Sequence, residues 1–152
     1  MQDAAKGLVP TEWLLVALGV VGLAATWAQV FDYLALGFLP GNVQFWKETV
    51  ATPASTFITV DVLVLAAALF VWMFGEGRRL GIGAGWLWSY YVASLLVAIS
   101  FALPLFLAHR HRHVRLHRPA EIGTPAGADW IAIGVAVLIA LAAAGFSLRH
   151  AP

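Results

Sequence analysis

The chain has 152 residues, of which 61% are hydrophobic and only 11% charged, with a formal net charge of +1 and a mean hydropathy of +0.83. Soluble domains use about 45–50% apolar and about 25% charged residues, so this inventory cannot build an ordinary water-exposed surface. The absence of cysteine excludes disulfides, thiolate metal sites and iron–sulfur clusters, and nine Lys and Arg against eight Asp and Glu lack the basic excess that a nucleic-acid partner requires.

Apolar runs long enough to cross about 30 Å of hydrocarbon at about 1.5 Å per residue fall at residues 13–36, 57–74, 86–108 and 130–148. They lack the alternation of strands, and backbone satisfaction in lipid leaves helices as the choice. The first is uncharged from Trp13 to Phe31 and carries Gly22 and Thr26, small residues suited to helix packing. Thr26-Trp27-Ala28 resembles a signal-peptide cleavage site, but Asp3 and Glu12, with Lys6 as the leading cation, oppose that reading and the segment is expected to be retained. Pro40-Gly41-Asn42 closes this span, and Phe45-Trp46 beside Lys47-Glu48 reads either as a segment lying flat at the interface or as an ordinary loop.

Ser55 and Thr56 supply the start signal of the second span, which Asp61 enters about one turn deep. Gly75-Glu76-Gly77 and Gly81-Ile82-Gly83 punctuate the next connection. The third span offers Ser94, Ala98 and Ala102 for packing, and Pro104 within it frees the carbonyl of Ser100 and predicts a kink. After Arg118-Pro119 and Pro125, Asp129 caps a fourth span in which Ala132, Ala136, Ala140 and Ala144 recur every four residues as a smooth stripe. Tryptophans near span ends read as an interfacial belt, with Trp27 well inside. The expected fold is an all-α integral membrane four-helix bundle forming a single membrane domain.

Alternating the four spans places Lys6, Arg78, Arg79 and Arg149 on one side and Lys47, Arg110, Arg112, Arg115 and Arg118 on the other. The denser second group favours that side as cytoplasmic and both termini as extracytoplasmic. The same alternation gathers Gln29, Asp32, Asp61, His109 and Arg110 at one end. A carboxylate at the depth of Asp61 costs about 2–3 kcal/mol unless paired. Either Asp61 accepts from Arg110 and pins the bundle, or the group binds a lipid headgroup or a polar-headed hydrophobic ligand, with metal or proton handling a third reading.

The run from His109 to Arg118 alternates His and Arg through much of its length. Arginines beside each histidine repel a divalent cation, so Arg112, Arg115 and Arg118 are expected to contact anionic lipid, and no metal and no cofactor is expected. No lysine or histidine lies mid-span for a Schiff base or haem, and no nucleotide-binding or hydrolase motif stands in a usable context.

The string Thr52-Pro53-Ala54-Ser55-Thr56-Phe57, then Asp61, Glu76-Gly77-Arg78-Arg79-Leu80-Gly81 and Leu103-Pro104-Leu105-Phe106-Leu107 followed by Arg110, resembles the small bacterial membrane proteins grouped as domain of unknown function 2834. The resemblance runs from about Glu12 to Arg112, and Asp61, Glu76, Arg78, Arg79, Pro104 and Arg110 match its pattern. It implies a three-span unit of unassigned activity and transfers no catalytic residue; this chain departs from it by a fourth span. The expected role is a small non-catalytic subunit or modulator in the bacterial inner membrane, meeting lipids and other subunits or a second copy. The rival is a lipid-binding or hydrophobic-ligand-binding protein or enzyme using the polar cluster.

Overall fold

The structure, a computed structural model, describes residues 7–117 and Leu138. Within them the chain forms six helices: α1 Pro10–Trp27, α2 Phe31–Ala35, α3 Phe38–Glu48, α4 Pro53–Arg79, α5 Ala84–Leu96 and α6 Ile99–His117. The all-α expectation holds. Two helices, α1 and α4, are long and apolar enough to cross a membrane, which is fewer than the four spans expected, and the fourth expected span with Ala132, Ala136, Ala140 and Ala144 lies outside the described residues.

α1 starts at Pro10, where a missing N–H costs nothing, and the Glu12 carboxylate accepts from the Val9 N–H at 3.1 Å. It ends at Trp27, so that residue lies at a helix terminus and not well inside a span. Residues 13–36 are not one helix, because α2 is a separate turn-and-a-half packed on α3. Pro40-Gly41-Asn42, expected in a loop, lies inside α3. Pro40 is tolerated in the first turn, and buried Gly41 touches α2 so closely that a Cβ there would meet the Tyr33 carbonyl.

α4 begins earlier than Ser55, at a reciprocal cap: the Thr52 hydroxyl accepts from the Ser55 N–H and the Ser55 hydroxyl accepts from the Thr52 N–H, both at 3.1 Å. Its C-terminus closes with Gly81 at φ +77°, the Ile82 N–H reaching the Gly77 carbonyl at 2.8 Å and the Gly81 N–H that of Arg78 at 3.1 Å. That pair of bonds is the Schellman arrangement, which needs a left-handed residue and explains Gly81. The turn sends α5 back along α4, where Gly77 faces Leu87 and Phe74 meets Trp88 and Tyr91.

The expected third span is the main correction. A continuous helix would hold Trp86 and His109 about 35 Å apart, yet their ring centroids are 5.4 Å apart. The chain reverses at Val97 and Ala98, and α5 and α6 form an antiparallel hairpin. Ser94, Ala98 and Ala102 therefore do not form one stripe: Ser94 bonds the Tyr90 carbonyl of its own helix, Ala98 lies in the turn and Ala102 is buried in α6. No Gly or Pro marks this turn; its visible partner is the distant Trp27 indole, which donates to the Val97 carbonyl at 3.0 Å.

α1 packs antiparallel to α6 along its length, from Glu12 beside His111 and Arg115 to Trp27 beside Val97. Pro104 supplies no N–H to the Ser100 carbonyl, and α1 fits against that stretch through glycine. A Cβ on Gly22 would lie 2.8 Å from the Ser100 carbonyl oxygen, and one on Gly19 3.2 Å from that of Phe101. The buried core, Met73, Leu80, Ile82, Leu87, Phe106 and Val114, joins α4, α5 and α6.

Gly22→Ala must push backbone from backbone, so it is expected to lower stability in detergent by about 1–3 kcal/mol. Gly75→Ala, with open space around its Cβ, should raise it by up to about 1 kcal/mol through helix propensity. Melting both variants in the same micelles checks the pair; equal behaviour would show that α1 does not approach α6 this closely.

Candidate functional site

Helix directions give the described bundle two distinct ends. The start of α1, the end of α4, the start of α5 and the end of α6 meet at one, called here the arginine end. The end of α1, the α2–α3 pair, the start of α4 and the α5–α6 turn lie at the other. α4 and α6 run parallel, since Trp72 meets Phe106, Glu76 meets Arg110 and Leu80 meets His113 in step.

The second half of α6 organises the arginine end. Successive residues on a helix point about 100° apart, so a dense polar run reaches several neighbours at once. His109 Nδ1 lies 3.1 Å from the Tyr90 hydroxyl on α5. Arg110 donates through Nε at 2.8 Å to Glu76 on α4, which also accepts from Arg79 at 2.7 Å, and the Arg110 guanidinium stands 5.9 Å from the Trp72 ring centroid. His111 and Arg115 both reach Glu12 on α1 at 3.0 Å, and Arg115 also donates to the Gly7 carbonyl. His113 Nε2 stands 2.9 Å from the Leu80 carbonyl at the end of α4, and the His117 ring stacks on it at 4.4 Å.

Glu12 is the buried member, with 0% of its side chain exposed. An ionised carboxylate taken from water without partners is untenable. Here one oxygen accepts from His111 and Arg115 and the other from the Val9 N–H and Arg115. The second triad, Glu76 with Arg79 and Arg110, is wetter, its side chains being 10%, 50% and 32% exposed.

These contacts replace the cluster expected from alternation. His109 and Arg110 lie at the arginine end, whereas Gln29, Asp32 and Asp61 lie at the other. Asp61 precedes Glu76 by 15 residues of one helix, about 22 Å, so Asp61 does not accept from Arg110. Asp32 and Asp61 are exposed and Gln29 is half-buried beside the α5–α6 turn. The split also joins Arg78 and Arg79 to Arg110, Arg112 and Arg115, groups that alternation had placed on opposite sides. Arg115 is engaged with Glu12, Arg112 is exposed, and Arg118 lies outside the described residues. Among the described residues no three acidic or histidine side chains are grouped to hold a metal.

Sequence reasoning missed both carboxylates that matter. Glu76 and Arg79 stood in the motif string without an assigned partner. Glu12 had a signal, a Glu shortly after the Pro10 helix start, which marks a capping position. At the opposite end Glu48 accepts from the Tyr33 hydroxyl and from Gln44, contacts that hold α2 to α3. The Tyr33 bond holds the Glu48 carboxyl below its ordinary range, with Gln44 acting in the same direction.

Glu12→Gln is expected to cost about 1.5–3 kcal/mol, because it leaves the part-buried Arg115 facing a neutral group; Arg79→Gln, half exposed, should cost under about 1 kcal/mol. Equilibrium unfolding in mixed micelles reads both, and equal costs would mean that Glu12 is not the buried member.

His109 titrates below the ordinary histidine value, first through burial and then through the positive charge of His113 and Arg112. The unfolded chain takes up that proton first, so stability from this group is full above pH about 6.5 and drains as pH falls through the depressed folded value. The acid limb of a melting-temperature profile should flatten in His109→Gln; an unchanged limb would assign it to another group.

No curated protein and no solved structure matches the chain. A family profile described as Protein of unknown function DUF2834 matches residues 14–112, a stretch that holds Glu76, Arg79 and Arg110 and runs from α1 into the polar half of α6, and the chain belongs to that family.

Proposed function

We propose that the protein is a multi-pass integral membrane protein of the bacterial inner membrane, a non-catalytic subunit or modulator of a larger membrane assembly, with its arginine end in the cytoplasm. The surface of α4 carries the membrane reading. Phe57, Ile58, Val60, Leu63, Val64 and Val71 are all exposed, Phe57 at 74% and Val71 at 78%. The core helix of a soluble protein is apolar because it is buried; a helix apolar on every side and uncovered belongs in lipid or against another membrane protein.

Charge supports the orientation. Among the described residues the arginine end holds Arg78, Arg79, Arg110, Arg112 and Arg115, whereas Lys47 is the one Lys or Arg at the other end. Basic residues accumulate on the cytoplasmic side, so α1 begins in the cytoplasm, the reverse of the assignment that alternation favoured. α3 fits the opposite interface: Phe38, Leu39, Val43 and Trp46 share one exposed arc and Gln44, Lys47 and Glu48 the other.

The non-catalytic reading rests on where the polar groups go. Glu12, Glu76, His111 and Arg115 tie helix to helix in saturated contacts, as structural ion pairs do. The rival reading, an enzyme or ligand-binding protein, needs Gln29, Asp32 and Asp61 beside His109 and Arg110, and about 22 Å of α4 separates those groups.

The chain has no cysteine, so single-cysteine variants label uniquely. In sealed inner-membrane vesicles of known sidedness, Gly83→Cys and Leu116→Cys should label from the cytoplasmic face and Asn42→Cys and Ala51→Cys from the other. Labelling of residues 83 and 116 from opposite faces would sink the bundle topology. After mild extraction of the same vesicles, the subunit reading expects a particle heavier than one chain and its detergent, and a lone 16.3 kDa chain would defeat it.

A further inference from the structure

We propose that residues 130–148 cross the membrane as a helix seated in the cleft between α1 and α4, antiparallel to α4, with Arg149 paired to Asp61. This inference rests on the membrane reading and names what covers one side of α4. The cleft, about 840 Å³, is lined among others by Leu18, Gly22 and Ala25 of α1, Val62 of α4, and Ser100 and Pro104 of α6. Asp61 stands on the strip of α4 beside Val62: residues 61, 68 and 72 follow one face of the helix, and Trp72 of that face packs on Phe106 of α6. The cleft is thus walled largely by small or apolar side chains and has a carboxylate at its border.

Chain length and charge choose the occupant. α6 ends at His117 at the arginine end, and residues 118–129 hold Arg118, Glu121 and Asp129, charges that keep this connection out of hydrocarbon. Trp130 therefore starts from the same end, and a connection that extends to about 40 Å passes easily over the bundle end to the cleft. Residues 130–148 carry no charge, and Arg149 is the first. Asp61 lies 18 residues before Arg79 at the end of α4, about 27 Å, and Arg149 lies 19 residues after Trp130, about 28 Å. An antiparallel helix starting level with the end of α4 thus brings Arg149 level with Asp61. Asp61 is exposed and, among the described residues, has no hydrogen bond or ion pair; a carboxylate at that depth of an apolar helix calls for a cation. The stripe Ala132, Ala136, Ala140 and Ala144 allows close approach to Gly22 and Ala25. Leu138 lies about 200° around a helix from both Ala136 and Ala140, pointing away from the stripe, and it is helical and 67% exposed, as a lipid-facing residue is.

The test places paired cysteines in the full chain, in inner-membrane vesicles, and adds a short bifunctional methanethiosulfonate. Asp61→Cys with Arg149→Cys should link within one chain, read as loss of both free thiols at monomer mobility on a denaturing gel. Leu63→Cys with Arg149→Cys should not link, since Leu63 lies on the far side of α4, about 200° from Asp61. Arg149→Cys alone should label from the face that labels Ala51→Cys. In micelles, Asp61→Asn and Arg149→Gln should each lower the melting temperature by about 2–4 °C, with the double variant no lower than either, and the exchange Asp61→Arg with Arg149→Asp should restore most of the loss. Recovery in the membrane fraction verifies that each variant is inserted.

A covalent dimer from the Asp61→Cys and Arg149→Cys pair would overturn the seat within one chain in favour of exchange between two copies. Equal linking of the Leu63→Cys and Asp61→Cys pairs, or linking of neither, would overturn the placement on this face of α4. Labelling of Arg149→Cys from the same face as Leu116→Cys would show that the segment does not cross. Additive losses in the double variant would overturn the Asp61–Arg149 pair even where the cross-link forms. Failure here with the labelling of residues 42, 51, 83 and 116 intact removes this seat alone; failure of that labelling removes the membrane reading beneath it.

Discussion

A carboxylate with no exposed surface fixes this structure. Glu12 cannot be left in a low-dielectric interior without cations and donors around it, and its cations come from His111 and Arg115, about a hundred residues further along the chain. Satisfying it sets the register of α1 on α6. The glycine contacts of Gly19 and Gly22 with the Pro104 region, and the Trp27 indole on the Val97 carbonyl, lie along that same interface. A slip of one helical turn, about 5.4 Å, would orphan the carboxylate and drive Cβ-bearing residues into the Ser100 carbonyl together.

The polar half of α6 does for three helices what Glu12 does for one. Alternating His and Arg at consecutive positions looks like low-specificity basic sequence because no two neighbours share a face. Folded, that property is its use. His109 turns to α5, Arg110 and His113 to α4, and His111 and Arg115 to α1. Hydrogen bonds and ion pairs at one level, and small-residue contacts further along, hold α6 to its neighbours. The family match ends within this polar run, at residue 112, and includes Glu76, Arg79 and Arg110 but neither Glu12 nor Arg115. The wetter triad is thus within the matched stretch and the dry one reaches outside it.

Much of the local structure was legible from composition and punctuation. Helical class followed from uninterrupted apolar runs, the α4–α5 turn from Gly81, although Gly75-Glu76-Gly77, read as part of the same connection, lies inside α4, and Gly22 reads as a close-approach position from its size. The long-range arrangement was not, and one local event explains why. Hydropathy from residue 86 to residue 108 is continuous and no Gly or Pro marks Val97 or Ala98, so the reversal there leaves no trace in pattern or propensity. Missing it inverts the parity of everything downstream. Arg110 moves to the other end, the acidic cluster around Asp61 disperses, and an apparent near-tie in basic residues becomes a strong asymmetry. Glu12 escaped notice for a simpler reason: one acidic residue at a helix start reads as a cap, and its role as a buried counter-ion depends on a partner that only the fold brings near.

The same asymmetry divides the molecule into a fastened end and an open one. Interhelical ion pairs concentrate at the arginine end, while the first half of α4 is almost uncovered and a wide apolar cleft lies between α1, α4 and the α5–α6 turn, lined by Leu18, Val62 and Pro104 among others. A partner that inserted at the fastened end would have to displace charged contacts and restore each of them. One that lay along the first half of α4 would displace none of them and would find Asp61 exposed there. Of the two ends, the open one therefore carries the lower cost of association.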